Sequence, residues 1–186
     1  MNDVRTTLVD EALPVFDIRA RHSRRIAAGP EAVWQALQGY DLSRDASLPT
    51  RSLFRLRGLP VPTGTLSEVL GPLGFTVLAE RQEEEIVVGT FGRFWTVKEL
   101  DNMANPADLD HFQTFDRPGW AKAVMAFRLE PLADGSTDLV TETRVRSLDD
   151  GARRRFAMYW ALIGFFSGWI RRDLLSGIAR KAEAKR

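Results

Sequence analysis

Apolar and polar residues alternate from Phe16 onward: Phe16, Ile18 and Ala20 are separated by Asp17, Arg19 and Arg21, the period of a strand with one solvated face. Gly29-Pro30-Glu31 then opens a helix, because proline is tolerated in a first turn, glutamate suits the positive helix end, and Val33, Trp34 and Leu37 supply an apolar face. It stops near Gly39. A second helical stretch is expected from about Ser43 to Leu56, broken or kinked at Pro49, with Leu53, Phe54 and Leu56 buried and Gly58 and Pro60 ending it. Between Leu59 and Gly74 the repeated proline and glycine predict a loop with one short helical turn over Leu66 to Leu70.

Phe75 to Arg81 and Ile86 to Phe91 are short runs rich in β-branched and apolar residues, joined by the charged stretch Gln82 to Glu85 as in a hairpin. Phe94 to Val97 continues the sheet, and Asn105-Pro106 with Asp108 reads as the cap and first turn of a helix reaching about Phe115. Ala121 to Leu132 and Thr137 to Ser147 form the clearest hairpin, around Ala133-Asp134-Gly135-Ser136. A two-residue turn places Phe127 opposite Glu142; a three-residue loop or bulge is read as placing it opposite Thr143 and pairing Arg128 with Glu142. The second register is preferred because it keeps charges outside. From about Asp149 the pattern is helical to the end, acidic at its start and carrying Arg180, Lys181, Lys185 and Arg186 at its finish, as the helix dipole favours.

Strand, two short helices, several antiparallel strands and a long helix pose a definite packing problem. A helix is about 10–12 Å across with its side chains, so a wide sheet covered by one helix must curl around it and leaves space between the two. The expected class is therefore α+β, a helix-grip fold in which a curved antiparallel sheet wraps a long C-terminal helix. One domain is expected over residues 1–186, with residues 1–14 as an N-terminal extension and 149–185 as the helix. The element order, the segment Gly29-Pro30-Glu31-Ala32-Val33-Trp34-Gln35-Ala36-Leu37 after strand one, and Thr141-Glu142-Thr143-Arg144-Val145 before the last helix resemble the START/Bet v 1-like (SRPBCC) superfamily. The resemblance covers nearly the whole chain. It implies the helix-grip fold and an internal cavity for lipids, polyketides, sterols or other hydrophobic molecules, without a shared catalytic signature to transfer.

Composition narrows the function classes. Lysine and arginine number 26 against 25 aspartates and glutamates, and no block of like charge dominates a region, so no electrostatic footprint for nucleic acid is present. The absence of cysteine excludes disulfides, thiolate metal sites and cysteine nucleophiles. Residues 1–16 carry Asp3, Asp10 and Glu11 and lack the apolar stretch of a signal peptide, so a cytoplasmic location is expected. The longest apolar stretch, Phe156 to Ile170, is interrupted by Gly164, Ser167 and Gly168 and is shorter than the roughly 20 residues of a membrane span. Arginines 153–155 before it and Arg171 and Arg172 after it resemble interfacial flanks, which leaves peripheral membrane contact open.

Strand parity puts Ala123, Met125, Phe127 and Leu129 on one face with Leu139, Thr141, Thr143 and Val145, and this face is assigned inward. The two threonines either orient a ligand's polar end or serve simply as good strand formers. His22 shares the inward parity of strand one and is the candidate proton carrier, with a satisfied core histidine as the plainer alternative. Arg24 has the same parity, which suggests that the strand ends or bulges there. His111, beside Asp108 and Asp110, fits no standard metal spacing. On the last helix Phe156, Tyr159, Trp160, Ile163, Ser167, Ile170 and Leu174 form one apolar stripe, and Met158, Leu162, Phe165 and Trp169 a second. The second is expected to pack within the chain; a homodimer or a membrane surface are its alternatives.

The expected ligand site comprises Tyr159, Trp160 and Ile163 from the helix, Met125, Phe127, Thr141 and Thr143 from the hairpin, and Trp34, Phe91 and Trp95 from elsewhere. No phosphate loop, nucleophile elbow or zinc motif occurs, and no cofactor is expected. Glu83, Glu84 and Glu85 are expected to be solvated in a hairpin turn, without raised pKa values. Binding or carrying of a hydrophobic small molecule leads; a cyclase, dehydratase or hydrolase in the same cavity and a membrane or interaction module are the alternatives.

Overall fold

Strands β1 (Ile18–Ile26), β2 (Thr76–Arg81), β3 (Glu85–Gly92), β4 (Met103–Ala104), β5 (Ala121–Pro131) and β6 (Thr137–Ser147) pair antiparallel in the order β1-β6-β5-β3-β2, with the two-residue β4 beside β3. The computed structural model describes residues 6–56, 61–72, 74–96 and 103–184. Leu59, Val97, Lys185, Arg186 and the expected helix stops Gly58 and Pro60 lie outside this set, as do the side chains of Leu53, Phe54 and Leu56. The sheet is open and curved, with a bulge between Val77 and Ala79 where β2 meets β3. Helix α7 (Asp150–Glu183) lies across β1 and β6 on its concave side, an α+β architecture in a helix-grip arrangement.

Local chemistry accounts for the element boundaries. Asp149 caps α7 by accepting the Ala152 N–H at 2.8 Å, and Pro30 occupies the first turn of α2 (Pro30–Gln38) behind an extended Gly29. The second helical stretch divides into α3 (Leu42–Asp45) and α4 (Leu48–Leu56) at Ala46-Ser47, so Pro49 sits in a first turn, where its missing N–H costs no hydrogen bond. Thr65 and Glu68 form a capping box for α5 (Leu66–Leu70). The β5–β6 hairpin turns through Ala133-Asp134-Gly135, with Gly135 at φ 81° and the Leu132 N–H bonded to the Ser136 carbonyl at 2.9 Å.

That turn corrects the expected register. Phe127 pairs with Thr141, Met125 with Thr143 and Arg128 with Val140. The pairing differs by two residues from the preferred sequence register, so every side chain keeps its face. Nor does the sheet continue past Gly92: Phe94 and Trp95 lie in a turn closed by the Thr96 N–H on the Arg93 carbonyl at 3.0 Å. β1 neither ends nor bulges at Arg24; it runs in continuous register to Ile26, and as an edge strand it lets Arg24 reach out to the Ser176 hydroxyl at 3.1 Å.

The convex face holds most of what the sequence reading did not anticipate. Helix α1 (Leu8–Ala12), within the segment expected only as an extension, and α6 (Leu109–Thr114) cover it, burying Val9, Val87, Phe91, Phe112 and Val124 in an apolar layer. Charges facing that layer are buried rather than outside. Arg144 bonds Glu142 at 2.7 Å, Asp10 at 2.6 Å and the carbonyls of Val9 and Leu13 at 3.3 and 3.0 Å, while Arg19 makes two 2.8 Å bonds to the same Glu142. Burial pushes the Glu142 carboxyl up, but the two arginines outweigh it and hold it below the ordinary range.

Glu85 likewise departs from expectation. It belongs to β3 rather than a solvated turn, is 3% exposed, and accepts the Leu8 and Val9 N–H groups at 2.8 and 3.3 Å, capping α1 across the sheet. Burial raises its pKa against the opposing effect of those two donors. Lys122 performs the converse task, bonding the Phe112 and Gln113 carbonyls at the end of α6 at 3.1 and 2.8 Å.

Arg144→Met leaves the buried Glu142 with Arg19 as its one cationic partner and strands the Val9 and Leu13 carbonyls, so it should cost about 3 kcal/mol of stability. Thermal unfolding should show this as a fall of roughly 6–12 °C, with Arg19→Met, at the exposed side of the same carboxylate, costing less.

Candidate functional site

The concave floor is built from cross-strand rows. One row runs Ala20, Thr143, Met125, Val88, and the next runs His22, Thr141, Phe127, Ile86, from β1 through β6 and β5 to β3. The floor is therefore polar beneath α7 and apolar beneath the shorter helices. Apolar clusters close it at both ends. Phe156, Tyr159 and Trp160 of α7 pack with Phe94, Trp95 and Val145 at one; Leu175, Ile178 and Ala179 pack with Ile26, Trp34 and Leu139 at the other.

Among the residues of the second cluster and those packed against it the structure holds a cavity of about 110 Å³. Its walls are Leu37, Tyr40 and Leu42 from the α2–α3 region, Leu66, Val69 and Leu70 from α5, Phe75, Met125 and Phe127 from the sheet, and Leu174 from α7. Tyr40 is one of these lining residues; its hydroxyl is buried without a hydrogen-bond partner, and burial raises its pKa. The ring lies so close to α7 that a Cβ on Gly177 would sit 2.5 Å from it. The volume is below the usual ligand-pocket range of about 300–1,000 Å³ and just below the roughly 150 Å³ that accepts a benzene ring.

Over the polar half of the floor stands Arg171. Its guanidinium donates twice to the Thr143 hydroxyl, at 3.2 and 2.7 Å, and once to the Ser167 hydroxyl on the preceding helical turn. Among the described residues no carboxylate pairs with it. Loss of hydration is the sole cause acting on its pKa, which is pushed down to about 10, so it remains a cation at neutral pH. One row away the Thr141 hydroxyl is wholly buried and has no partner, nor has the buried Nδ1 of His22, the cross-strand neighbour of Thr141. Gly168 allows α7 to approach that imidazole, since a Cβ there would lie 3.3 Å from Nε2. On its outer side His22 borders an open groove of about 250 Å³ with Arg24, Arg172 and Ser176.

The expected site residues separate into five groups. Met125 and Phe127 line the cavity, and Thr141 and Thr143 form the polar floor beside it. Trp34 belongs to the adjoining core rather than to the cavity wall. Tyr159, Trp160 and Trp95 gather around Phe156 at the far end of α7, with Ile163 half-buried one turn on. Phe91 is a correction: it lies on the convex face, stacked on Phe115 and Phe112 at centroid distances of 3.9 and 5.5 Å, because β3 parity sends Ile86 and Val88 to the concave side instead. His111 accepts the Ala107 N–H at 3.1 Å, and no metal-binding group of side chains occurs among the described residues.

Arg171 was legible only as a membrane-flanking charge. A usable signal existed in its spacing, since Ile163, Ser167, Arg171 and Leu174 follow the inward face of one helix. The second α7 stripe also departs from expectation: Met158, Leu162 and Phe165 are 66%, 74% and 71% exposed, and Trp169 is exposed with them. No helix among the described residues is long and apolar enough to cross a membrane.

A scan of protein-family models gives no match to this chain, and a sequence search of curated proteins gives none. Solved structures similar to it include a protein from Nitrosospira multiformis, with 14% identity over 91% of this chain and 100% of that one and a TM-score of 0.44. XoxI from Bacillus cereus shares 13% identity over 88% of this chain and 94% of its own, with a TM-score of 0.44. DynU16, from the dynemicin biosynthetic locus, shares 14% over 91% of this chain and 49% of its own, with a TM-score of 0.43. Likenesses this distant say nothing about activity.

Loss of hydration, followed by the Arg171 and Arg172 charges, holds His22 below the ordinary histidine value of 6.5. The unfolded histidine therefore takes up its proton at higher pH than the folded one. Its contribution to stability is complete above about 6.5 and is lost as pH falls through the folded pKa. Imidazole NMR titration should place the His22 midpoint under 6.5 and move it up, short of 6.5, in Arg171→Met.

Proposed function

We propose that this chain binds a small hydrophobic molecule between its sheet and α7. The observation that carries the reading is the cavity among Leu37, Leu70, Met125, Phe127 and Leu174, an apolar concavity next to a few convergent polar groups. Protein interiors are close-packed, and a void of this size sacrifices dispersion contacts that a ligand would restore. The resemblance to the START/Bet v 1-like superfamily supports the same reading. At about 110 Å³ the cavity is smaller than a single ring requires, so a ring or a short chain enters only as the lining yields.

Thermal unfolding with benzene, toluene, indole and short-chain alkanes tests this. A ligand at 100 times its Kd adds about 2.7 kcal/mol, which corresponds to roughly 5–10 °C in Tm. Leu174→Phe, which fills the cavity, should abolish that shift; absence of any shift across the panel in the unaltered chain would refute the reading.

A second reading rests on the exposed apolar stripe of α7. Leu162 and Phe165 stand outward, with Arg154, Arg155 and Arg172 at helical spacings that place them at the two ends of the same face. That pairing of apolar residues and cations suits the surface of an anionic bilayer. Vesicles containing phosphatidylserine should co-sediment the protein, and Leu162→Ser with Phe165→Ser should release it. A concentration-dependent dimer in sedimentation equilibrium without vesicle binding would assign the stripe to a second copy instead.

A further inference from the structure

We propose that the ligand is a short monocarboxylic acid, its hydrocarbon body in the cavity and its carboxylate held by Arg171 beside Thr141. The proposal deepens the cavity reading and rests on it. Arginine has five N–H donors, and Thr143 and Ser167 accept three hydrogen bonds from this one. Two donors remain on a planar fork whose geometry matches a carboxylate.

Drawing a cation partly out of water without a counter-charge is costly, and none among the described residues supplies one to Arg171. An unpaired guanidinium is therefore explained by an anion that the protein itself does not contribute. The buried Thr141 hydroxyl, also unpartnered, adds a donor on the same stretch of floor. His22 across from it is held toward its neutral form and adds no competing charge.

The geometry limits the rest of the molecule. Thr143, which holds Arg171, is the direct cross-strand neighbour of Met125, and Met125 lines the cavity. Paired residues of adjacent strands have Cα atoms about 4.5–5.5 Å apart, so anion and hydrocarbon sites are one strand apart, within the length of a short acid. Leu174, one helical turn beyond Arg171, forms the cavity wall on the α7 side.

Calorimetric titration of the full chain with matched pairs, benzoate against benzamide and hexanoate against hexanamide, tests the assignment. The acids should bind at least ten-fold more tightly than their amides. Arg171→Met should erase that preference, weakening each acid at least ten-fold more than its amide. Arg171→Lys, which keeps the charge without the fork, should retain part of the preference. Equal binding of acid and amide by the unaltered chain overturns the proposal and leaves the cavity reading standing, whether or not Arg171→Met folds. Binding of neither member of any pair overturns both. Tighter binding of hexyl phosphate than of hexanoate overturns the carboxylate assignment.

Discussion

The arrangement depends on how α7 is clamped. Apolar clusters around Phe156 at one end and around Ile178 at the other fix the helix to the sheet, while between them the floor offers hydroxyls, an imidazole and a guanidinium. This middle buries the Thr141 hydroxyl and the Nδ1 of His22 without partners, a cost that an apolar floor would not carry. A helix of 34 residues is about 50 Å long, whereas the longest strands, of 11 residues, span about 37 Å. Helices α2, α3 and α4 flank only its later half, through contacts such as Lys181 with Asp45 and Asp173 with the Ser47 N–H. Among the described residues the earlier half rests on the sheet and on the Phe94–Trp95 turn, and its outward stripe is exposed.

The convex side is held by different physics. Its apolar layer is thin, and buried ion pairs and helix-end contacts anchor the elements lying over it: Glu85 at the start of α1, Lys122 at the end of α6, Arg144 across both the sheet and α1. Buried pairs of this kind add little net stability over apolar residues of equal size, but breaking one is expensive, so they act chiefly on geometry. They seat a five-residue helix that would not persist by itself.

The architecture was legible because alternation in β1, β5 and β6 and the long helical period after Asp149 are unambiguous, and strand parity carried the inward face correctly even though the hairpin register was off by two. Phe91 was misplaced for want of that parity argument on β3, where apolar residues run continuously and both faces are covered. Glu85 was misread because a run of glutamates resembles a solvated turn, and only the position of α1 reveals why one of them is buried. Arg171 was obscured by its neighbour Arg172: adjacent residues on a helix point about 100° apart, so one is exposed while the other reaches the sheet.

The cavity wall formed by α3 and α5 differs from the rest of its lining. α3 has no buried residue, and beyond the Tyr40 ring packed on Gly177 the chain there is tied to α7 by polar bonds: Lys181 to the Asp45 carboxylate and the Gly39 carbonyl, and the Ser47 N–H to Asp173. Water can replace each of those bonds at small net cost. Enlarging the chamber therefore means exchanging a few solvent-adjacent contacts on one side while the β-ladder stays intact, so the volume it can reach is set by how far that wall can swing.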